Sequence, residues 1–408
     1  MTDTKPRSIV VIGAGQAGGR AVEAMRAAGF EGNIDLVGAE PHLPYERPPL
    51  SKELLAGDEV PFQVMFDAEW FEERNITLHL GRRAVEIDRG DRIVRLDDGA
   101  ELGYDRLLLT TGGTARTLDI PGAGLPGAHT LRTIDECRAI TGILARRGHI
   151  VVVGGGFIGL EIAASARMRG CSVTVLEFAD RLMGRALPAE IGAVFAELHR
   201  ENGVELRFGT GITAIEGAGK VERVVTSSGD ILEADAVIIG IGIVPDTTLA
   251  EAAGLVVDDG IVVDEYCRTS DPDIYAAGDV TQHFNPLLDR HIRLESWQNA
   301  QNQAIAAARN ICGDETAFTE TPWFWSDQFD VNLQVCGAPL DWNRTVMRGD
   351  IAARDGILFQ RDGDTITGAI GLNRARDMRF VKRLMGTKKS PTAEQLADES
   401  AGFREMLR

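Results

Sequence analysis

The sequence lacks closely spaced cysteines and long apolar runs, and it has fewer basic than acidic residues, 43 against 61. Its five cysteines are scattered, and no two have the C-x-x-C spacing of a metal or redox site. We therefore expect reduced thiols and no bound metal. No apolar run reaches the roughly 18 residues of a membrane span, so no membrane association is expected. The cysteines are Cys137, Cys171, Cys267, Cys312 and Cys336.

The first residues and the net charge narrow the class further. The start, MTDTKPRS, is polar and lacks the apolar stretch of a secretory signal, so a cytoplasmic protein is expected. The net charge of −18 argues against nucleic-acid binding, because phosphates require a basic surface. The 408 residues suffice for two or three domains, and the 46 glycines indicate many tight turns.

The sequence contains one glycine-rich pattern twice, at 9–22 and at 150–163. In each copy an apolar run typical of a central parallel strand leads into G-x-G-x-x-G and then a helix. The first glycine allows the tight turn, the second lets the backbone approach a pyrophosphate, and the third lets the helix pack on the strand. The two loops contain Gly13, Gly15 and Gly18, and Gly154, Gly156 and Gly159.

An acidic residue follows each loop at the distance expected for a ribose contact. The second strands, predicted at 34–40 and 172–177, end at Glu40 and Glu177. A carboxylate there can accept a hydrogen bond from a ribose hydroxyl. Because both copies have strand, turn, helix, second strand and acid in order, we predict two dinucleotide sites and hence electron transfer between two cofactors.

Glu177 also bears on the choice between NAD and NADP. A carboxylate at this position repels the 2′-phosphate of NADP, which favours NAD. Arg181 and Arg185 follow closely, and an arginine there can accept that phosphate. NAD is the prediction, with NADP as the open alternative.

Three more strands that run into glycine turns indicate a domain inserted into another. They are LLLTTGG (107–113), VIIGIGIVPDT (237–247) and IYAAGDV (274–280). The first two each come about one domain length after a glycine loop. The predicted fold is α/β, with two Rossmann-like domains, one inside the other, and a C-terminal α+β domain. The predicted bounds are 1–115 with 247–320, then 116–246, then 321–408.

This order resembles the two-dinucleotide flavoprotein reductases, the glutathione-reductase-like superfamily. The resemblance implies FAD at the first loop, NAD(P)H at the second, and a flavin contact at Asp279, which follows Gly278. Many members pass electrons through cysteines near the first loop. This chain has no cysteine before Cys137, which argues against such a relay.

Four segments narrow the resemblance to the ferredoxin reductases of bacterial oxygenase systems. They are YERPPLSKELLAG (45–57), LRT (131–133), RLESWQNAQNQ (293–303) and PWFWSDQ (322–328). The resemblance implies hydride transfer from NADH to FAD, followed by single electrons to a [2Fe–2S] ferredoxin. That ferredoxin would feed a cytochrome P450 or a ring-hydroxylating dioxygenase.

The resemblance also implies the cofactor-binding residues. The family often has an aspartate at the position of Ala39, where it contacts the FAD ribose. Because this chain has alanine there, we expect the next residue, Glu40, to make that contact. Lys52 and Glu161 are expected to form a pair between the cofactors, in which the lysine favours negative charge on the reduced flavin. The FAD residues are Gly13, Gly15, Ala17, Gly18, Glu40, Lys52, Ala84, Gly112, Arg132, Asp279, Val280 and Trp297. The NAD residues are Gly154, Gly156, Ile158, Gly159, Glu161, Glu177, Arg185 and Gly242.

The C-terminal region reads as a small antiparallel sheet followed by a helix. Short strands are predicted at 331–337, 345–351, 356–363 and 365–373, with a helix from about Arg376. Trp323 and Trp325 alternate as on a strand, with core packing expected for one and a place near the ferredoxin surface for Trp325. A basic segment follows, which is either a solvated helix face or a docking site for an acidic ferredoxin. Its basic residues are Arg374, Arg376, Arg379, Lys382, Arg383, Lys388 and Lys389.

Two other functions compete with the ferredoxin reductase. One is a flavin oxidase or rubredoxin-type reductase with the same two sites and another acceptor. The other is a redox sensor that resembles apoptosis-inducing factors, in which the reduced flavin changes conformation or partner. Slow reoxidation of an NADH–flavin complex would favour the sensor. Fast cytochrome c reduction that requires an added ferredoxin would favour the reductase.

Overall fold

The computed structural model describes residues 6–57, 62–387, 389 and 391–407. Lys388 and part of the polar N-terminal start therefore lie outside the described residues. The chain divides into two compact units. Unit 1 consists of the chain up to Glu46, Gln63–Thr114 and Val244–Pro322, and unit 2 of Arg47–Phe62, Ala115–Ile243 and the chain from Trp323. The three domain bounds given above remain a prediction.

A five-stranded parallel sheet forms the centre of unit 1. Its strand order is Ile274–Ala276, Arg106–Leu109, Ser8–Ile12, Asn33–Gly38 and Ile76–Leu80. The strand before the first glycine loop is central and buried, because its side chains are apolar on both faces.

Smaller elements complete unit 1. The helix Gln16–Ala27 packs against the helix Trp297–Ile311 over a core of small apolar side chains. The other helices and strands are Ala68–Glu73, Ala84–Asp88, Ile93–Leu96, Glu101–Gly103, Thr248–Ala252, Val257–Asp258, Gly260–Val263, Thr281–Asn285 and Arg290–Ile292.

Unit 2 contains a second parallel sheet of the same kind. Its order is Val204–Arg207, Ser172–Leu176, His149–Val153, Ala236–Ile239 and Ala128–Thr130. The strand before the second glycine loop is again central, which matches the repeated sequence pattern. Around it lie Pro48–Ser51, Glu53–Ala56, Ile134–Leu144, Phe157–Met168, Ala189–Glu201, Ile212–Glu216, Arg223–Thr226 and Ile231–Glu233. The short strands Gly113–Ala115 and Ile243–Pro245 lie where the chain passes between the units.

The C-terminal part of unit 2 is a five-stranded antiparallel sheet with helices, as the alternating pattern predicts. Its order is Trp323–Gln328, Val331–Gly337, Thr365–Leu372, Asp355–Asp362 and Thr345–Asp350. The helices are Ala375–Met385, Ala393–Ala397 and Phe403–Met406. The predicted α/β class, with two Rossmann-like sheets and a C-terminal α+β part, is confirmed. Among the described residues no helix is both long and apolar enough to cross a membrane.

Candidate functional site

The first glycine loop is closed by backbone contacts that require glycine. Gly13 has a φ of +114°, and a Cβ there would lie 2.1 Å from the carbonyl oxygen of Thr110. A Cβ on Gly18 would lie 1.9 Å from the carbonyl oxygen of Gly13. The Thr110 hydroxyl also lies within hydrogen-bonding distance of that Gly13 oxygen, at 2.8 Å. The turn and the close helix–strand approach expected of this motif are therefore both present.

The second loop repeats this geometry. Gly154 has a φ of +106°, and a Cβ on Gly159 would lie 2.1 Å from the Gly154 carbonyl oxygen. Gly156, between them, differs, because a Cβ there would meet no atom of the described residues within 4 Å apart from its chain neighbours. The protein leaves open the side of the loop on which a pyrophosphate is expected.

Both loops end in helices that are suited to bind an anion. Gly15 and Gly156 are the N-caps of Gln16–Ala27 and Phe157–Met168, and within the described ranges neither helix has a side-chain cap or an acid in its first turn. Uncapped first-turn N–H groups and the helix dipole attract phosphate. Gln16 is buried, and its Oε1 has no hydrogen-bond partner among the described residues. These features fit FAD at the first loop and NAD(H) at the second.

The two acids after the loops are held differently. The strand Asn33–Gly38 ends before Glu40, so that residue lies in the following bend, where the Tyr45 hydroxyl donates to its Oε2 at 2.6 Å. Glu177 follows its strand directly and accepts from the backbone N–H groups of Gly155, at 2.6 Å, and Ala179, at 2.7 Å. Glu177 is thereby fixed against the second glycine loop.

The structure brings Lys52 and Glu161 together, 109 residues apart in the chain. Lys52 Nζ donates to Glu161 Oε2 at 2.8 Å, and their side chains are 11% and 2% exposed. The Ser51 hydroxyl donates to the same oxygen at 2.5 Å, and the Ser326 hydroxyl donates to Oε1 at 2.6 Å. The carboxylate therefore accepts from three side chains, all in unit 2.

Arg132 lies in a turn that a helix cap organises. Thr133 and Glu136 form a capping box at the start of Ile134–Leu144. The Glu136 carboxylate also accepts from the Arg132 N–H at 2.8 Å, and the Arg47 guanidinium donates to the Arg132 carbonyl. Sequence reasoning named Arg132 but missed Glu136, although the pattern T-x-x-E at 133–136 signals this cap.

The remaining predicted residues divide between the units. Ala17, Ala84, Gly112, Asp279, Val280 and Trp297 lie in unit 1, and Ile158, Arg185 and Gly242 lie in unit 2. In unit 2, Ile158 is exposed in the first helical turn, and a Cβ on Gly242 would lie 3.8 Å from the Arg185 guanidinium. Their roles as cofactor contacts remain predictions.

The tryptophans of Trp323–Gln328 stack on each other. The rings of Trp323 and Trp325 are 5.3 Å apart at an interplanar angle of 22°. Lys52 Nζ lies 5.8 Å from the centre of the Trp325 ring. The C-terminal sheet therefore contributes an aromatic ring as well as Ser326 to the surroundings of Lys52.

The cysteines form no disulfide and do not have the low pKa values of redox-active thiols. All five lie in the described part of the chain, and all are free. Burial raises the pKa of every one of these thiols, to about 11 for Cys312 and about 12 for Cys336. Because all five are free thiols, the described structure contains no disulfide that could accept electrons, and protonated thiols are poor nucleophiles.

The basic segment carries one exposed face of arginines. Arg376, Arg379 and Arg383 are exposed at helical spacing on Ala375–Met385, and within the described ranges none of them has an ion-pair partner. Arg374 is instead held by Asp355, Asp377 and Glu399. In the part of the chain that the structure describes, no cluster of three or more His, Cys, Asp or Glu side chains could hold a metal ion.

Comparison with known proteins agrees with this architecture along nearly the whole chain. Residues 7–304 match the pyridine nucleotide-disulphide oxidoreductase family, and residues 323–407 match the reductase C-terminal family. The chain is 45% identical to the ferredoxin–NAD(+) reductase component of the anthranilate 1,2-dioxygenase system of Burkholderia cepacia, over 98% of each chain.

Solved structures give the same result. The ferredoxin reductase for the CYP199A2 system of Rhodopseudomonas palustris superposes with a TM-score of 0.94 at 38% identity, covering 98% of this chain and 99% of that one. A covalent putidaredoxin reductase–putidaredoxin complex gives 0.95 at 36% identity, covering 99% of each chain. The predicted resemblance is confirmed. The chain belongs to the pyridine nucleotide-disulphide oxidoreductase family and, within it, to the group of ferredoxin–NAD(+) reductases of bacterial oxygenase systems.

Proposed function

We propose that this chain is an NADH-dependent ferredoxin reductase that supplies electrons to a cytochrome P450 or a ring-hydroxylating dioxygenase. The observation that carries this function is the 45% identity, over 98% of both chains, to the reductase component of a dioxygenase system. FAD held at the first loop would supply the conversion of a two-electron hydride from NADH into single electrons, which a [2Fe–2S] ferredoxin requires. The five cysteines are free thiols, which argues against an electron relay through a disulfide of this chain.

The two loops divide the binding of the cofactors. The first loop and its helix N-terminus hold the pyrophosphate of FAD, with Glu40 at the ribose. The second loop holds NADH, and its open side at Gly156 receives the pyrophosphate. Glu177, which two backbone N–H groups hold in place, accepts from the adenosine ribose and disfavours NADPH.

Lys52 and Glu161 are the residues that we assign to the hydride-transfer step. Glu161 holds the Lys52 ammonium at 2.8 Å and so fixes the position of a positive charge. A fixed charge of this kind stabilises the negative charge that develops on a reduced flavin, at no cost of reorganisation. No general base is needed, because the cofactors supply the hydride chemistry.

In this proposal, positively charged side chains on the C-terminal helix attract an acidic ferredoxin. Arg376, Arg379 and Arg383 give a local positive face to a chain with a net charge of −18. Complementary charge speeds encounter and sets the register of a transient complex. We also assign the protein to the cytoplasm, where NADH and the oxygenase components are available.

The test is NADH oxidation by the purified protein with a panel of [2Fe–2S] ferredoxins and cytochrome c as the final acceptor. We expect one FAD per chain and cytochrome c reduction that depends on an added ferredoxin. Rapid cytochrome c or oxygen reduction without any ferredoxin would contradict the proposal and favour an oxidase. A flavin that reoxidises slowly with every ferredoxin would favour the sensor.

A further inference from the structure

A buried chain of hydrogen bonds leads from Glu161 through the C-terminal sheet to His199. The Ser326 hydroxyl donates to Glu161 Oε1 at 2.6 Å, and Gln328 Nε2 donates to Ser326 Oγ at 3.0 Å. His199 Nε2 lies 2.9 Å from Gln328 Oε1. The assigned function uses Glu161 alone among these four residues.

The three residues of this hydrogen-bond network beyond Glu161 are fully buried. Ser326, Gln328 and His199 are all 0% exposed. Burying polar side chains costs free energy unless each finds a partner, and a connected set of them fixes one arrangement. Hydrophobic residues of similar size would fill these positions without that cost, so the network calls for an explanation beyond packing.

The hydrogen bonds run in one direction, towards Glu161. An ionised carboxylate can only accept, so the Ser326 hydroxyl must donate to it and can then accept from the Gln328 amide. The amide oxygen of Gln328 can only accept, so His199 carries a hydrogen on Nε2. Burial lowers the pKa of His199 to about 4, which keeps the ring neutral at pH 7. In the described structure its Nδ1 has no hydrogen-bond partner, so no acceptor there calls for a hydrogen on Nδ1.

The consequence is a carboxylate held at both oxygens. Ser51 and Lys52 bind Oε2, while Ser326 alone among the described side chains binds Oε1. Without Ser326 the carboxylate keeps its two donors at Oε2, but Oε1 is buried without a donor. The orientation of the carboxylate is then less constrained, and Lys52 is held less firmly.

We propose that Ser326 is a positioning residue for the Lys52–Glu161 pair, and that Gln328 and His199 orient its hydroxyl. The inference rests on the role assigned to that pair in hydride transfer. It gives the strand Trp323–Gln328 a part in the first half of the reaction, in addition to any part in ferredoxin docking.

The first test is Ser326→Ala, compared with Thr226→Val as a matched control. Thr226 is also buried, at 1% exposure, and also in unit 2, but its hydroxyl bonds Ser228 and the Asp230 N–H and none of the groups around Glu161. Reduction of bound FAD by NADH is followed by stopped flow. We expect Ser326→Ala to slow it about tenfold, the effect of losing one charge-assisted hydrogen bond. Thr226→Val should stay within about twofold of the parent rate, and an equal loss in the two variants would overturn the inference.

The variant Ser326→Thr separates positioning from packing. It keeps a hydroxyl that can donate to Glu161 Oε1 and adds a methyl group at a fully buried position. If the donor matters, flavin reduction in Ser326→Thr should be faster than in Ser326→Ala. An equal loss of rate in Ser326→Ala and Ser326→Thr would overturn the inference.

A second readout does not depend on activity. The 15N spectrum of histidine-labelled protein should show His199 as the Nε2–H tautomer between pH 6 and 8, assigned by its absence in His199→Phe. Gln328→Leu should change that signal and slow flavin reduction less than Ser326→Ala does. An Nδ1–H tautomer in the parent protein would overturn the inference.

Glu161→Gln separates failure of the inference from failure of the proposed function. If Glu161→Gln slows flavin reduction and Ser326→Ala does not, the inference is wrong and the assigned function stands. If Glu161→Gln has the parent rate, the role assigned to the Lys52–Glu161 pair and the inference are both wrong, while ferredoxin-dependent cytochrome c reduction tests the function separately. In the double variant we expect no loss beyond that of Glu161→Gln alone, because Ser326 acts through Glu161.

Discussion

The two glycine loops have the same backbone and differ in the helix that follows. In both, the third glycine lies so close to the first that a Cβ would come within 1.9 Å or 2.1 Å of its carbonyl oxygen. Seven residues after the first glycine, however, the first helix carries Arg20 and the second carries Glu161. Arg20 pairs with Glu23 at 3.0 Å and Glu46 at 3.6 Å, at 24% exposure. Glu161 is 2% exposed and bound by three side chains.

In the function that we propose, the repeat provides cofactor binding and the departures from it provide the chemistry. The loop backbone would hold a pyrophosphate in either copy, whichever dinucleotide is bound. Arg20 is an ordinary partly exposed ion-paired residue, whose contribution to stability is small. Glu161 occupies the equivalent place in the second copy and there fixes the Lys52 charge. The acids after the strands differ too, since Glu40 is held by a side chain and Glu177 by backbone N–H groups.

The largest expected effect is the loss of FAD in Gly18→Ala. The added methyl group would meet the Gly13 carbonyl, which forces strand and helix apart. We expect protein without yellow colour and with a lower melting temperature, measured by the absorbance at 450 nm and by thermal unfolding.

Gly156→Ala is the contrasting variant in the second loop. Apart from its chain neighbours, no atom of the described residues lies within 4 Å of the added methyl group, so the fold and the FAD content should be unchanged. The KM for NADH should rise about tenfold or more. If both variants lose FAD equally, the two loops are not the separate sites that we assign.

The next effect concerns the choice of nucleotide. Glu177→Ala removes the ribose acceptor and the negative charge that repels a 2′-phosphate, so the preference for NADH should narrow about tenfold. The ratio of kcat/KM for NADH and NADPH measures this. Arg181→Ala and Arg185→Ala are the controls, and a larger change in either than in Glu177→Ala would show that an arginine determines the choice.

A smaller effect is expected at the ferredoxin surface. Arg379→Glu with Arg383→Glu should raise the KM for ferredoxin severalfold and leave flavin reduction by NADH unchanged. Ferredoxin-dependent turnover should also fall with salt, because screening limits charge attraction to about 8 Å at physiological ionic strength. Arg146→Glu with Lys220→Glu makes the same change in net charge at two exposed residues elsewhere in unit 2. Equal ferredoxin kinetics in the two double variants would make the basic segment a solvated face.

The smallest effect is expected for Tyr45→Phe. The Tyr45 hydroxyl donates to Glu40 at 2.6 Å, and its loss leaves the carboxylate in place but less constrained. The affinity for FAD, measured by titration of the apoprotein, should fall a few fold, by about 1 kcal/mol. An unchanged affinity would mean that Glu40 does not contact the FAD ribose.

Local patterns in the sequence were sufficient to predict most of the fold. The strands and the glycine turns follow from apolar runs and from spacing over 20 residues, and the C-terminal strands follow from alternation. The end of the second strand at Gly38, two residues before Glu40, is a small departure from the predicted range. Nothing in the local sequence predicts that segment 47–62 belongs to unit 2, because the segments before and after it both belong to unit 1.

The surroundings of Glu161 were only partly predictable. The Lys52–Glu161 pair was expected from the resemblance to a family. Ser51 and Ser326 were not, because they lie 110 and 165 residues from Glu161 in the chain and serine is too common to mark a contact. Gln328 and His199 are buried by tertiary packing that no periodicity in the sequence reveals.

The central claim is that the helix after the second loop takes part in hydride transfer and the helix after the first loop does not. The most direct test is single-turnover reduction of bound FAD by NADH in Glu161→Gln and Arg20→Gln. Both variants remove one charge at the same place in the two copies of the motif. We expect Glu161→Gln to slow the reduction about tenfold or more, since it weakens the hold on Lys52, and Arg20→Gln to remain within about twofold of the parent. Equal rates in the two variants would contradict the claim that the second helix provides the chemistry.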